Sequence, residues 1–148
     1  LRFIEYMDVG NINHWQQEET LASKEIIKMI SERWPIVPVN ENYQGEVASR
    51  YQFDDGQGEI GFISSVTKPF CSDCTRARLS SDGKLYNCLF ASKGVDLRAW
   101  LEEGMNDNEI ESKIIEIWNQ REDRYSELRL ANKNDPSKEK VEMYYIGG

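Results

Sequence analysis

Phe70-Cys71-Ser72-Asp73-Cys74-Thr75-Arg76-Ala77-Arg78-Leu79-Ser80-Ser81-Asp82-Gly83-Lys84-Leu85-Tyr86-Asn87-Cys88-Leu89-Phe90 holds all the cysteines of this chain, in the pattern C-x2-C-x13-C. A C-x-x-C turn points two sulfurs at one centre, and a third cysteine returned by a hairpin adds a third corner. Three thiolates suit a 4Fe-4S cluster with one iron left open, or a zinc ion with one further ligand. Unrelated thiols are the plainer reading of an isolated C-x-x-C and a poorer one of this triplet. For zinc, the fourth ligand would be a carboxylate or His14, the only histidine. His14 sits in Asn13-His14-Trp15, a loop setting in which a solvated or packed imidazole is commoner than a ligand. An odd number of cysteines fits a closed disulfide framework badly and a reduced, intracellular metal or redox protein better.

Residues 76–88 read as a hairpin with two registers open to it. A two-residue Asp82-Gly83 turn would pair Ala77 with Cys88 and send both arginines to the opposite face. A three-residue loop, with Ser81 and Asp82 in a type I turn and Gly83 left-handed, pairs Arg76 with Cys88 and Arg78 with Tyr86. The second register puts Cys88, Arg76 and Arg78 on one face and is the one expected. Two guanidiniums two residues apart can then offer planar forks to a phosphate or a purine edge. Spacing alone favours an ordinary solvated strand face; their place directly beside Cys74 is what raises the functional reading.

Working outward, Leu1 to Met7 reads as a strand closed by Gly10 and Asn11. Ser23 is placed to cap a helix carrying Ile26, Ile27, Ile30 and Trp34, ended by Pro35. Val37 to Val39 is extended around Pro38. Tyr43 to Phe53 and Glu59 to Val66 read as strands joined by Asp54-Asp55-Gly56-Gln57-Gly58. After the cysteine segment come a helix from Leu97 to Glu103, stopped by Gly104, and another from Asp107 with Ile110, Ile114, Ile117 and Trp118 on one face. Ala131 to Lys140 is polar and reads as mobile, before apolar character returns at Val141 to Ile146. The fold class is α+β, with residues 1–130 as one domain and 131–148 as a flexible tail ending in Gly147-Gly148.

Composition bounds the function. Of 148 residues 30% are charged and 39% hydrophobic, enough for one core, and the net charge of −8 argues against a general nucleic-acid surface while leaving room for one anionic ligand at a local basic cluster. No apolar run reaches the ~20 residues that cross a bilayer. No charged-then-apolar leader is visible, and an opening directly in an apolar run suggests a piece of a longer protein.

Phe70 to Leu79, Ser81-Asp82-Gly83-Lys84 and Cys88-Leu89-Phe90 closely resemble the C-terminal cluster segment of the GTP 3',8-cyclases, radical S-adenosylmethionine enzymes of bacterial cytoplasm that begin molybdenum cofactor synthesis. Arg2 to Asn11 resembles a late barrel strand of that family, and Gly45 to Ala48, Arg121 to Tyr125 and Gly147-Gly148 look familial too. The resemblance implies the last strand of an incomplete (β/α) barrel followed by an antiparallel sheet with flanking helices. It implies a 4Fe-4S cluster on Cys71, Cys74 and Cys88 that binds guanine through its open iron. Arg76, Arg78 and Arg2 would contact GTP, and the tail Gly147 and Gly148 would reach the active site. Implied partners are a missing N-terminal barrel half, a second copy in a homodimer, and the next enzyme of the pathway, cyclic pyranopterin monophosphate synthase. The family's other motif, the C-x3-C-x2-C that holds the radical-forming cluster and S-adenosylmethionine, is absent from this sequence. No residue here is therefore expected to be catalytic, and the chain alone is expected to bind without turnover. Two rival readings are a zinc-stabilised interaction module and, through Gly147-Gly148, a carrier with an activated tail.

Overall fold

The computed structural model describes residues 1–132 and 140–146. The chain forms two compact units, one of residues 1–8 and 14–75, the other of residues 9–13 and 76–148. Helices, strands and two sheets together make the α+β class that was expected; no closed barrel is present among the described residues.

The first unit holds β1 (Arg2–Ile4), α1 (Ser23–Ser31), β2 (Ile36–Val39), β3 (Ser49–Phe53) and β4 (Glu59–Ile63). Its sheet runs β1-β4-β3-β2, with β1 parallel to β4 and the other pairs antiparallel. The inner strand β4 is the most apolar: Ile60, Gly61 and Phe62 are all buried. Phe62 receives Phe3 in a stack at 5.3 Å and Tyr51 edge-on at 5.4 Å, so three strands are keyed to one ring. Pro38, lacking a donor, is tolerated because β2 lies at the sheet's edge.

Three expected strands prove shorter, and Glu5 accounts for the end of one of them, β4. β1 stops at Ile4 rather than Met7 because the Tyr6 carbonyl accepts from Trp15 Nε1 (2.8 Å) and Thr20 Oγ1 (2.8 Å), side chains in place of a ladder partner. β4 stops at Ile63 rather than Val66 because Val66 N and Thr67 N turn to the Glu5 carboxylate at 2.9 and 2.8 Å. The same carboxylate accepts from Ser23 N at 2.8 Å, so the start of α1 is served by a distant glutamate; Ser23 is its first residue and not its cap. β3 begins only at Ser49, because a turn at Tyr43 to Glu46 contains Gly45 in the left-handed region. Trp34 falls beyond α1 and is 52% exposed, with the Arg33 guanidinium 4.7 Å from its ring centre.

The second unit holds β5 (Arg78–Leu79), β6 (Lys84–Tyr86) and β7 (Val95–Asp96) in one antiparallel sheet, then α2 (Leu97–Glu102), α3 (Asp107–Asn119) and α4 (Tyr125–Asn132). Asp96 caps α2 by accepting from Ala99 N at 3.0 Å, and Asn106 with Glu109 forms a capping box on α3. The face of α3 expected to be inward is the half-buried one, while Ile115 between those positions is 51% exposed. Residues 140–146, ending in a 3-10 turn at Met143–Ile146, are tied down along their length. Asn11 exchanges bonds with Lys140 (Nδ2 to carbonyl 2.6 Å, Oδ1 from N–H 3.0 Å), Val141 N donates to Ala91 O at 3.0 Å, and Ile146 is buried. Most of the tail expected to be mobile, together with Gly147 and Gly148, lies outside the described residues.

Candidate metal centre

Cys71 and Cys74 belong to the first unit, in a turn closed by Cys74 N donating to Cys71 O at 3.4 Å. Cys88 belongs to the second unit, just past the β5–β6 hairpin, and its sulfur accepts from Phe90 N at 3.4 Å. All three are half-buried thiols outside any disulfide. Among the described residues, no three histidine, cysteine or acidic side chains already form a group that could hold a metal ion. The donor chemistry nevertheless fits an iron–sulfur cluster: three thiols at ligand spacing, one of them with the backbone N–H···S bond by which proteins tune such sulfurs. His14 is exposed and left-handed at φ 48°.

The hairpin adopts the three-residue loop. Arg78 pairs with Tyr86 and Leu79 with Leu85; Ser80 N donates to Lys84 O at 2.9 Å, and Gly83 sits at φ 85°. Regular pairing ends at Arg78–Tyr86, so the expected Arg76–Cys88 pair lies beyond the ladder. Burial along the incoming arm is inverted relative to an ordinary strand. Arg76 and Arg78 are half-buried and Ser80 is buried, while Ala77 and Leu79 face out, Leu79 at 62% exposure. A solvated strand face would turn its cations outward and its leucine inward. Here Arg78 stands directly opposite Tyr86, which is 3% exposed.

At the hairpin tip Asp82 is held by three groups. Lys84 Nζ lies 2.8 Å from its carboxylate, and the Ser80 and Tyr145 hydroxyls each donate to it at 2.5 Å. The Lys84 bond, then those hydroxyls, keep the Asp82 carboxyl well below the usual carboxylate range. Its own hydrogen bond to the Asp82 carboxylate pushes the Tyr145 phenol up. Arg2 lies in the first unit on β1, where it bonds Glu59 at 3.1 Å and packs along Gly61. Glu59 is shared with Arg50, whose hydrogen bond first and charge second lower its carboxyl.

Beside Cys88 the second unit opens a cavity of about 330 Å³ walled by Phe90, Lys93, Arg124 and Tyr125 among others. Phe90 and Tyr125 stack at 4.4 Å. The buried Arg129 guanidinium lies 5.3 Å and the Lys140 ammonium 5.5 Å from the Phe90 ring. This cation-flanked aromatic pair was not anticipated from the sequence. The resemblance of residues 121–125 was the one signal that pointed to it.

Comparison with known proteins gives the lineage. The family described as Molybdenum Cofactor Synthesis C matches residues 1–127. This chain belongs to that family. Among relatives, the GTP 3',8-cyclase of Xanthomonas campestris pv. campestris (strain B100) is 49% identical over 148 residues, covering 100% of this chain and 42% of that protein. The GTP 3',8-cyclase of Acidothermus cellulolyticus is 44% identical over 171 residues, again across the whole chain and 47% of its own length. That of Staphylococcus saprophyticus is 44% identical over 153 residues. The chain therefore spans less than half the length of the curated relatives it matches. In this Molybdenum Cofactor Synthesis C chain, the matched span of residues 1–127 takes in the cysteine triplet, the hairpin and Tyr125 and stops short of the 140–146 segment. No helix among the described residues is long and apolar enough to cross a membrane.

Proposed function

We propose that this chain is the cluster- and GTP-binding part of a GTP 3',8-cyclase, the enzyme that converts GTP to a 3',8-cyclised nucleotide in molybdenum cofactor synthesis. The observation that carries the reading is the hairpin. Arg76 and Arg78, both half-buried, lie on its incoming arm, between the second and third cysteines of a C-x2-C-x13-C triplet, and this supports the reading. Cys71, Cys74 and Cys88 would hold a 4Fe-4S cluster, and when bound it supplies an open iron at which guanine can coordinate. Arg76 and Arg78 would take the triphosphate or purine edge through charge-assisted forks, and this local charge overrides a chain whose net charge is −8. The Phe90 N–H bond to the Cys88 sulfur would orient that ligand and temper its basicity. In the same reading β1 is the closing strand of a barrel whose other strands, radical cluster and S-adenosylmethionine site belong to the rest of the protein.

The test is anaerobic reconstitution of the full protein, with iron and sulfide analysis and an absorption spectrum. Iron with matching sulfide, stripped by replacing any one of Cys71, Cys74 or Cys88 with Ser, is the expected result. Stoichiometric zinc with no uptake of iron would overturn the reading in favour of a zinc-stabilised module.

A further inference from the structure

We infer that Gly45 is a positioning residue for the cysteine turn 71–74, the loop that carries it acting as a backstop against which that turn is set. The inference rests on the cluster reading above and concerns the first unit alone. Gly45 sits at φ 81°, and a Cβ added to it would come 3.0 Å from the Asp73 carbonyl oxygen and 3.2 Å from both Cγ2 and Oγ1 of Thr75. Asp73 is the residue between the two cysteines next to Cys74, and Thr75 follows Cys74. The close neighbour is thus the backbone of the ligand turn itself, and a main-chain carbonyl cannot swing aside as a long side chain can.

The two partners in this contact are held unequally. The cysteine turn is closed from within by a bond at the long end of the range, 3.4 Å, so it depends on what it leans against. The Gly45 loop, by contrast, is clamped. Asn42 N donates to Glu46 Oε2 at 2.6 Å and Glu46 N to Tyr43 O at 3.1 Å, while the Glu46 carboxylate lies 3.9 Å from Arg50 on β3. A methyl group at position 45 therefore displaces the weaker side, the thiolate-bearing turn, by a few tenths of an ångström.

Two other glycines separate this contact from the general cost of a left-handed alanine. Gly56 at φ 71° and Gly104 at φ 81° would meet nothing within 4 Å. Gly45→Ala, Gly56→Ala and Gly104→Ala should each carry a similar backbone penalty, and only the first should disturb the cluster. In the full-length protein, reconstituted anaerobically, Gly45→Ala should lose iron to a chelator roughly tenfold faster than wild type, the scale seen when the support of a metal ligand is removed. Its reduced cluster should give a shifted electron paramagnetic resonance signal, with the two control variants matching wild type in both readouts. Should Gly45→Ala fail to fold, Gly45→Ala/Thr75→Ala, which relieves two of the three contacts, is compared with Thr75→Ala alone, and faster iron loss in the double variant is expected. Iron retention and spectrum equal to wild type in Gly45→Ala, or equal loss in all three glycine variants, would overturn the inference while leaving the cluster reading intact. A wild type that takes up no iron overturns both.

Discussion

Arg78 stands directly opposite a buried tyrosine, and Arg76, two residues before it, is half-buried like it. If each guanidinium makes charge-assisted hydrogen bonds to GTP worth about 1.5–3 kcal/mol, Arg76→Ala or Arg78→Ala should weaken GTP binding by about ten- to a hundredfold in the full enzyme. Lysine should restore only part of this, since it lacks the planar fork. Iron content should stay near normal, and titration calorimetry beside iron analysis separates lost recognition from lost metal. Unchanged affinity in both variants would return the arginines to scaffolding. The second informative residue is Glu5, which is 3% exposed and whose carboxylate accepts from Ser23 N, Val66 N, Thr67 N and Thr67 Oγ1. Burial works to raise its carboxyl, but the Thr67 hydroxyl and the three backbone donors together outweigh it and hold the group below its ordinary value. A depressed carboxyl contributes stability that is complete above the unfolded-state value and is lost as pH falls through the folded one. Glu5→Gln turns an amide NH2 toward N–H donors, so it should cost about 1–3 kcal/mol in urea unfolding near neutral pH and flatten the acid side of the stability profile.

At the scale of elements, what the sequence discloses is local chemistry. The loop register followed from Ser81-Asp82-Gly83 because a left-handed third residue wants glycine, and the α3 start followed from polar residues before an apolar stripe. The ends of β1 and β4 could not be read in the same way. They are set by Glu5 and by Trp15 and Thr20, side chains whose reach across the fold leaves no mark on periodicity. Helix α4 escaped for a related reason: Tyr125 at its start is held by stacking on Phe90, a partner 35 residues earlier in the chain, 125 against 90. The hairpin also shows how one turn residue anchors a neighbour. Leu97 N donates to Gly83 O at 2.9 Å, and a Cβ on Gly83 would stand 2.9 Å from Arg98 Cβ. Gly83→Ala must therefore bear left-handed strain of about 1–2 kcal/mol and also push on the first turn of α2. Thermal unfolding should show a lower midpoint than wild type, and GTP affinity should fall with it if the register slips. A midpoint unchanged within error would mean that the loop tolerates the methyl and that glycine is not what fixes the arginines.

For the whole molecule, the deciding count is of thiolates. A 4Fe-4S cluster with one open iron uses three, and this sequence has three in all, so it can furnish one such cluster and no second. The relatives it matches are more than twice its length, and the proposed function assigns the other cluster and the barrel to that remaining length. The proposed function therefore separates binding from radical formation: it assigns nucleotide recognition to this part and the reactive species to the remainder. Mixed anaerobically with GTP, reductant and S-adenosylmethionine, the 148-residue chain should form no cyclised nucleotide and no 5'-deoxyadenosine above a protein-free blank. The full protein under the same conditions should form both. Chromatography of the quenched mixtures checks each product independently. Cleavage of S-adenosylmethionine by the short chain would be the damaging result, because it would mean that Cys71, Cys74 and Cys88 hold the radical-forming cluster themselves. The hairpin arginines would then have to be reassigned from the guanine nucleotide to the sulfonium cofactor.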